Sequence, residues 1–261
     1  MSFQQSISAP MFLRRFADKA ALLSAVATAG FPAVEIWGRG DDFPEWLQLA
    51  QKHGLQLCSM VGHRAAMNLA SAHAEAEREI QESVVVAARH DIPGIICFSG
   101  NAVEGQSRDE ALDIVVEGFR RVVPHAEAAG VTLLLELLNS RVDHPGYLAD
   151  HTAWGVEICR RVNSPRLRLL YDIYHMQIME GDIIRTIRDN IAWIGHFHTA
   201  GNPGRQEIGA TQELNYAAIA QAIRESGFAG YVGHEFLPAG DPVAAMREAR
   251  QLMEPSEKAP G

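Results

Sequence analysis

Short apolar runs rich in Val, Ile and Leu alternate along the chain with longer segments of helical period, which predicts a repeated strand–helix unit. The runs are Ser6 to Ala9, Ala33 to Trp37, Gln56 to Val61, Ile95 to Ser99, Thr132 to Leu137, Leu167 to Asp172, Trp193 to His198 and Tyr231 to Glu235. Each leaves room for a helix behind it. From Ser71 to His90, Ile80, Val84 and Ala87 share a face; from Arg108 to Ala129, Leu112, Val115, Val116 and Phe119 do the same. Breakers stand just before strands at Gly30, Gly54, Pro93-Gly94, Gly130, Asn163-Ser164-Pro165 and Gly227. Eight such units in 261 residues predict an α/β fold, a single (β/α)8 TIM barrel over residues 1–253. A doubly wound open sheet would carry a Gly-rich phosphate turn after its first strand, and SAPMFLRRF has none. The tail at 254–261, made of Pro, Glu, Ser and Lys with little to bury, is expected to be disordered.

Composition narrows the partners. The chain is 47% hydrophobic and 21% charged, which suits a globular domain with a sizeable core. Its 23 basic and 32 acidic residues give a formal charge of −9, which repels phosphate backbones and anionic membranes, so no nucleic acid and no membrane is expected as partner. The start MSFQQSISAP has neither the basic nor the apolar region of a signal peptide, and no apolar stretch nears the roughly 20 residues of a membrane span. Cys58, Cys97 and Cys159 are odd in number, far apart and set in apolar segments. They fit free thiols in a reducing, cytoplasmic compartment better than a disulfide framework.

Charge at the ends of the strands is the chemical signal. Barrel strands are apolar inside, and sites are built where they end, at the carboxy-terminal face. Here VTLLLE places Glu136, LRLLYD closes on Asp172, AWIGHFH on His198 and YVGHE on Glu235. A carboxylate buried among Leu and Val must pair, bind a cation or stay protonated. Each residue alone is as well explained by an ion pair, with Arg141, Arg168 or Arg205 as partners. Four on successive strands point into one mouth and predict a shared site. Three carboxylates with one imidazole suit a divalent ion such as Mg²⁺ or Mn²⁺, with Co²⁺ or Zn²⁺ compatible.

Two further segments belong to the mouth. IYHMQ puts His175 where it can bond a substrate oxygen, although a packing or capping role is equally open to it. TAGNPGRQEIG is a loop carrying Arg205 and Glu207, two side chains that can contact substrate or simply pair with each other. Trp37, Gly38, Met60, His63 and Phe98 to Asn101 end the earlier strands and are expected to line the pocket. The pleat places His196 on the face of His198, one layer deeper, and turns His234 toward the helices.

In ELLNSRVDHPGY, LYDIYHMQIMEGD, GHFHTAGNPGRQEIG with the following ELNY, and GHEF, the chain resembles the hydroxypyruvate isomerase family. This family sits among the xylose-isomerase-like TIM barrels, which also hold ketose 3-epimerases and the endonuclease IV branch. The resemblance spans the chain in strand order, with its specific motifs in residues 136–236. It implies a divalent metal on Glu136, Asp172, His198 and Glu235, with Glu136 and Glu235 as the catalytic acid/base pair and His175 and Arg205 as substrate contacts. The implied reaction is isomerisation of a small hydroxy-carbonyl compound or sugar through an enediolate, as in hydroxypyruvate to tartronate semialdehyde. Ketose 3-epimerisation is the alternative; a ketosugar dehydratase, an endonuclease IV-like phosphodiesterase and a non-catalytic sugar-binding barrel are more distant. A homo-oligomer is also an expectation from the family. The chain departs from the family pattern at strand seven, where the usual Gln is His198 as in ketose 3-epimerases, and at Leu237, where Lys is usual. The segment VGHRAAMNLASAH lacks the usual Gly- and Pro-containing loop.

Overall fold

The apolar runs become eight parallel strands: β1 (Gln4–Ser8), β2 (Ala33–Ile36), β3 (Gln56–Val61), β4 (Gly94–Cys97), β5 (Thr132–Glu136), β6 (Leu167–Asp172), β7 (Ile194–Thr199) and β8 (Tyr231–His234). They pair in chain order and β8 returns to β1, closing the barrel in the computed structural model, which describes residues 3–255. Every strand end lies within two residues of its expected place. Of the expected disordered tail, Glu254 pairs with Arg250 at 2.7 Å, and 256–261 lie outside the described residues.

The helices are α1 (Ala9–Phe12), α2 (Lys19–Thr28), α3 (Phe43–Lys52), α4 (His73–Arg89), α5 (Arg108–Ala129), α6 (Thr152–Val162), α7 (Ile173–Met179), α8 (Ile183–Asn190), α9 (Tyr216–Glu225) and α10 (Pro242–Leu252). Local chemistry sets their ends. Before α5, the Ser107 hydroxyl accepts from the Glu110 N–H at 3.2 Å and the Glu110 carboxylate accepts from the Ser107 N–H at 2.9 Å, a reciprocal cap. Gly130 stops the same helix at φ 71°, a left-handed conformation that costs glycine little. Among the described residues, no helix is long and apolar enough to cross a membrane. The three cysteines are free and buried.

Outward-facing strand residues such as Ile7, Val34, Leu133, Leu169 and Phe197 pack with Ile80, Val84, Phe119, Ile158 and Ile223 of the helices. The barrel interior is divided. Ile96, Leu134 and Leu170 of β4 to β6 form a separate apolar cluster, with Val61 and Phe98 packed against it. Across from them the interior is polar: Ser6, Glu35, Ser59 and His196, all buried and mutually bonded through Glu35.

Candidate active site

Four strands each deliver one acidic or imidazole group to the carboxy-terminal mouth. Glu136 ends β5, Asp172 ends β6, His198 lies next to the end of β7, and Glu235 follows β8. Parallel register sets Asp172 beside His198. The Glu235 N–H donates to the Thr199 carbonyl at 2.9 Å, so Glu235 continues the ladder one residue past the strand. One ligand atom from each residue lies within 4.8 Å of the others, and all four residues are buried. His198 Nδ1 stands 3.3 Å from Glu136 Oε1, 3.6 Å from Glu235 Oε2 and 3.9 Å from Asp172 Oδ2, and has no hydrogen-bond partner.

Neighbours hold these groups in place. The Tyr147 hydroxyl donates to the Glu136 carbonyl at 2.8 Å and accepts from the Ser99 N–H at 3.1 Å. Asp172 spends Oδ1 on the His175 N–H at 2.9 Å, capping α7, and turns Oδ2 toward His198.

Three buried carboxylates face a single guanidinium. Arg205 Nη2 donates to Glu235 Oε2 at 2.5 Å. Arg141 instead donates to the Ile178 carbonyl and Arg168 to those of Ser164 and Leu167. Burial, joined by repulsion from Glu235 and Asp172, pushes the Glu136 carboxyl up to about 7, and burial pushes Asp172 up to about 6. Against the same burial, His198 and Arg205 hold Glu235 down to about 2. Burial disfavours charge on His198, yet Glu35, Glu235 and Glu136 hold it well above the usual imidazole range. A partnerless imidazole nitrogen aimed at three under-neutralised carboxylates is a donor set that fits a divalent cation.

His175 and Arg205 join this cluster. Asn139 Oδ1 accepts from the N–H groups of Val142 and Asp143, each at 2.9 Å, which directs its amide nitrogen to Asp143 Oδ2 and His175 Nδ1, each at 2.6 Å. Nδ1 of His175 therefore accepts and Nε2 carries the hydrogen. That Nε2 is buried without a partner, 3.8 Å from Asp172 Oδ2. Burial and Arg205 push His175 well below the usual imidazole range, so it stays a neutral donor. Arg205 lies 5.7 Å over the Tyr174 ring at φ 54°, a backbone region that residues other than glycine seldom adopt.

Glu207 sits apart from them. Its Oε1 accepts from the N–H groups of Ala239 and Gly240 at 2.8 and 3.0 Å, which ties the loop after β7 to the loop after β8. The expected wall is also uneven. Phe98, Gly100 and Asn101 line a cavity of about 540 Å³ with Leu138, His144 and Tyr147, and the His144 ring packs 5.3 Å from His175. Trp37, which is 56% exposed, lines a second cavity of about 270 Å³ with Gly38 and His63, whereas Met60 is fully buried core. Nε2 of His63 accepts from the Phe98 N–H at 3.0 Å.

Known proteins share this arrangement of strands. A family model described as a xylose isomerase-like TIM barrel matches residues 23–256. A hydroxypyruvate isomerase from Escherichia coli K12 is 32% identical over 175 residues, 66% of this chain and 67% of its own length. The chain belongs to the hydroxypyruvate isomerase family of xylose isomerase-like barrels. A putative hydroxypyruvate isomerase from Mus musculus is 29% identical over 237 residues, 86% of each chain. A solved structure from Brucella melitensis, described as an AP endonuclease of family 2, matches with a TM-score of 0.84 at 26% identity, over 96% of this chain and 98% of that one.

The expected site residues omit Glu35, which touches His198 from below. Its signal is the same as that of Glu136, a carboxylate inside an apolar strand, here AVEI. The expected strand runs on to Trp37 and leaves Glu35 two residues short of its end, so a search of strand ends passes over it, although β2 itself stops at Ile36. His196 lies one layer below His198, as the pleat predicts, with Nε2 3.2 Å from Glu35 Oε1. His234 is bonded instead to Thr199 and Gln5 at 2.8 and 2.9 Å. At the family's usual Lys position, Leu237 is half-exposed and its N–H donates to the Arg205 carbonyl at 2.8 Å.

Proposed function

We propose that this protein is a metal-dependent isomerase of a small hydroxy-carbonyl compound, with hydroxypyruvate, interconverted with tartronate semialdehyde, as the first candidate. The observation that carries this is the partnerless His198 Nδ1 facing the carboxylates of Glu136, Asp172 and Glu235. These four residues would hold a divalent ion, Mg²⁺ or Mn²⁺ ahead of Co²⁺ or Zn²⁺, because three of the four donors are hard carboxylates. Such an ion supplies Lewis acidity, which makes the C–H beside a carbonyl easier to deprotonate.

The chain's own groups move the proton and hold the substrate. Glu136 would take up and return the proton, with Glu235 and Asp172 beside it to share the ion's charge. Glu235 stays ionised beside Arg205 and offers a second base. His175 presents Nε2–H to a substrate oxygen. A proton taken from one carbon and returned to its neighbour, as the hydroxyl proton passes to the former carbonyl oxygen, shifts the carbonyl by one position.

A 3-epimerase is favoured by one specific observation: Glu136 and Glu235 stand at similar distances from Nδ1 of His198, the strand-seven residue that ketose 3-epimerases share. One carboxylate would then remove the proton and the other deliver it to the opposite face of the same carbon. A phosphodiesterase acting on DNA would want a basic face and a larger His-rich ion cluster, and a net charge of −9 with one four-ligand mouth suits it poorly. A sugar-binding barrel without catalysis has no use for a perturbed carboxylate pair.

Proton NMR in D₂O with Mg²⁺, hydroxypyruvate and a panel of three- to six-carbon ketoses tests the proposal, with EDTA and Glu235→Gln as controls. Metal-dependent deuterium incorporation with a shifted carbonyl is the expected result, and incorporation at C3 with inversion selects the epimerase. No exchange in any compound, with an ion bound, sinks both.

A further inference from the structure

Glu35 is 2% exposed one residue before the end of β2, and each of its oxygens accepts two hydrogen bonds. Oε1 accepts from the Ser6 hydroxyl at 2.5 Å and from His196 Nε2 at 3.2 Å. Oε2 accepts from the Ser59 hydroxyl at 2.6 Å and from His198 Nε2 at 2.9 Å. A carboxylate has about four lone-pair sites, so this one is saturated. Space for it is made by Gly233, where a Cβ would fall 2.0 Å from Glu35 Oε1. Glu35, His196 and His198 are close enough together to bind an ion, but Glu35 has no capacity left to ligate one.

The saturation has a consequence at the other side of the imidazole. With Nε2 committed as donor to Glu35, the neutral form of His198 carries its lone pair on Nδ1, the atom that faces Glu136, Asp172 and Glu235. Imidazoles that ligate metals commonly donate their second N–H to a carboxylate, which fixes tautomer and ring orientation.

We propose that Glu35 is the positioning residue of the site: it locks His198 as the Nε2–H tautomer and so presents Nδ1 as the nitrogen donor to a divalent ion. This rests on the metal-dependent reading above. Ser6, Ser59 and His196 hold the Glu35 carboxylate in the one orientation that serves His198. The geometry gives Glu35 no contact with substrate, so its effect is on ion affinity and ring orientation.

Calorimetric titration of the ion-stripped wild type and Glu35→Gln with Mn²⁺, without substrate, reads this directly. The expected loss of affinity in the variant is about 10- to 100-fold, with the fold retained by circular dichroism. Ser59→Ala, which frees one bond on the same oxygen, should weaken binding in the same direction by less, and it stands in if Glu35→Gln does not fold. Nitrogen-15 NMR of the Mg²⁺-loaded wild type should show His198 protonated at Nε2. Affinity in Glu35→Gln within twofold of wild type, or a proton on Nδ1 of the loaded wild type, overturns the proposal. Absence of Mn²⁺ binding in the wild type defeats the metal-dependent reading itself, and the proposal with it, whereas binding in the wild type without loss in the variant defeats the proposal alone.

Discussion

His198 separates two acidic clusters of opposite character. Below its Nε2, Glu35 is buried with its four acceptor sites filled by two hydroxyls and two imidazoles. Despite burial, the two imidazoles hold its carboxyl well below the usual range. Above Nδ1, Glu136, Asp172 and Glu235 share one arginine and leave a buried nitrogen without a partner. Both clusters cost desolvation, but only the lower one recovers it in full from the protein. A saturated buried carboxylate is explained by the fold, whereas an unsaturated cluster asks for a ligand. The difference separates support from chemistry within a span of three side chains.

The largest expected effect lies in the upper cluster. Glu136→Gln and Glu235→Gln should each lower kcat by at least ~10²-fold in the D₂O exchange assay, the scale of a general acid or base, and turnover near wild type in both would erase the functional half of the contrast. Ion addition comes next. At about 100 times Kd, Mn²⁺ should stabilise the protein by about 2.7 kcal/mol in thermal melts, and EDTA should reverse the shift. A melt indifferent to ions would make the upper cluster structural after all.

Acidity provides a smaller, graded effect. The raised carboxyls of Glu136, about 7, and Asp172, about 6, are protonated below those values and must lose their protons to bind a cation. Ion affinity should therefore fall at least about tenfold between pH 7 and pH 6 and fall more steeply below, and it should keep rising above the Glu136 value while His198, held well above the usual imidazole range, gives up its own proton. Calorimetry in buffers of different ionisation enthalpy would count the protons released. A flat profile from pH 6 to 8 would mean that these carboxylates are already paired.

The upper cluster was legible in the sequence and the lower one was not, for a physical reason. Glu136, Asp172, His198 and Glu235 each interrupt an apolar run at the place where a barrel strand must stop, so strand period and fold class together locate them. Glu35 interrupts AVEI inside the strand, and its acceptability there depends on Ser6, Ser59 and His196 arriving from other strands, with Gly233 leaving the room. That complementarity exists only once the barrel has closed. Glu207 shows the reverse: it has the right chemistry in the right loop, but the backbone N–H groups of Ala239 and Gly240 take up its Oε1, bonds that residue type alone does not foretell. Residue type predicts what a side chain can do, and only packing decides what is left for it to bond. The strands themselves were the easiest feature to read, because burial on both faces demands near-continuous Val, Ile and Leu.

The apolar side of the barrel interior sharpens the contrast with the smallest change. Ile96 packs with Leu134 and Leu170 on β4 to β6, away from the Glu35 cluster, and carries no polar duty. Ile96→Val removes one buried methylene and should cost about 0.5–1.5 kcal/mol in urea denaturation. Because no hydrogen bond runs from that cluster to His198, ion affinity should stay within about twofold of wild type, the tolerance set for Glu35→Gln. A tenfold loss of affinity from this one methylene would mean that the two sides of the interior shift together, and that the orientation of His198 is set by the packing of the whole barrel rather than by the carboxylate beneath it.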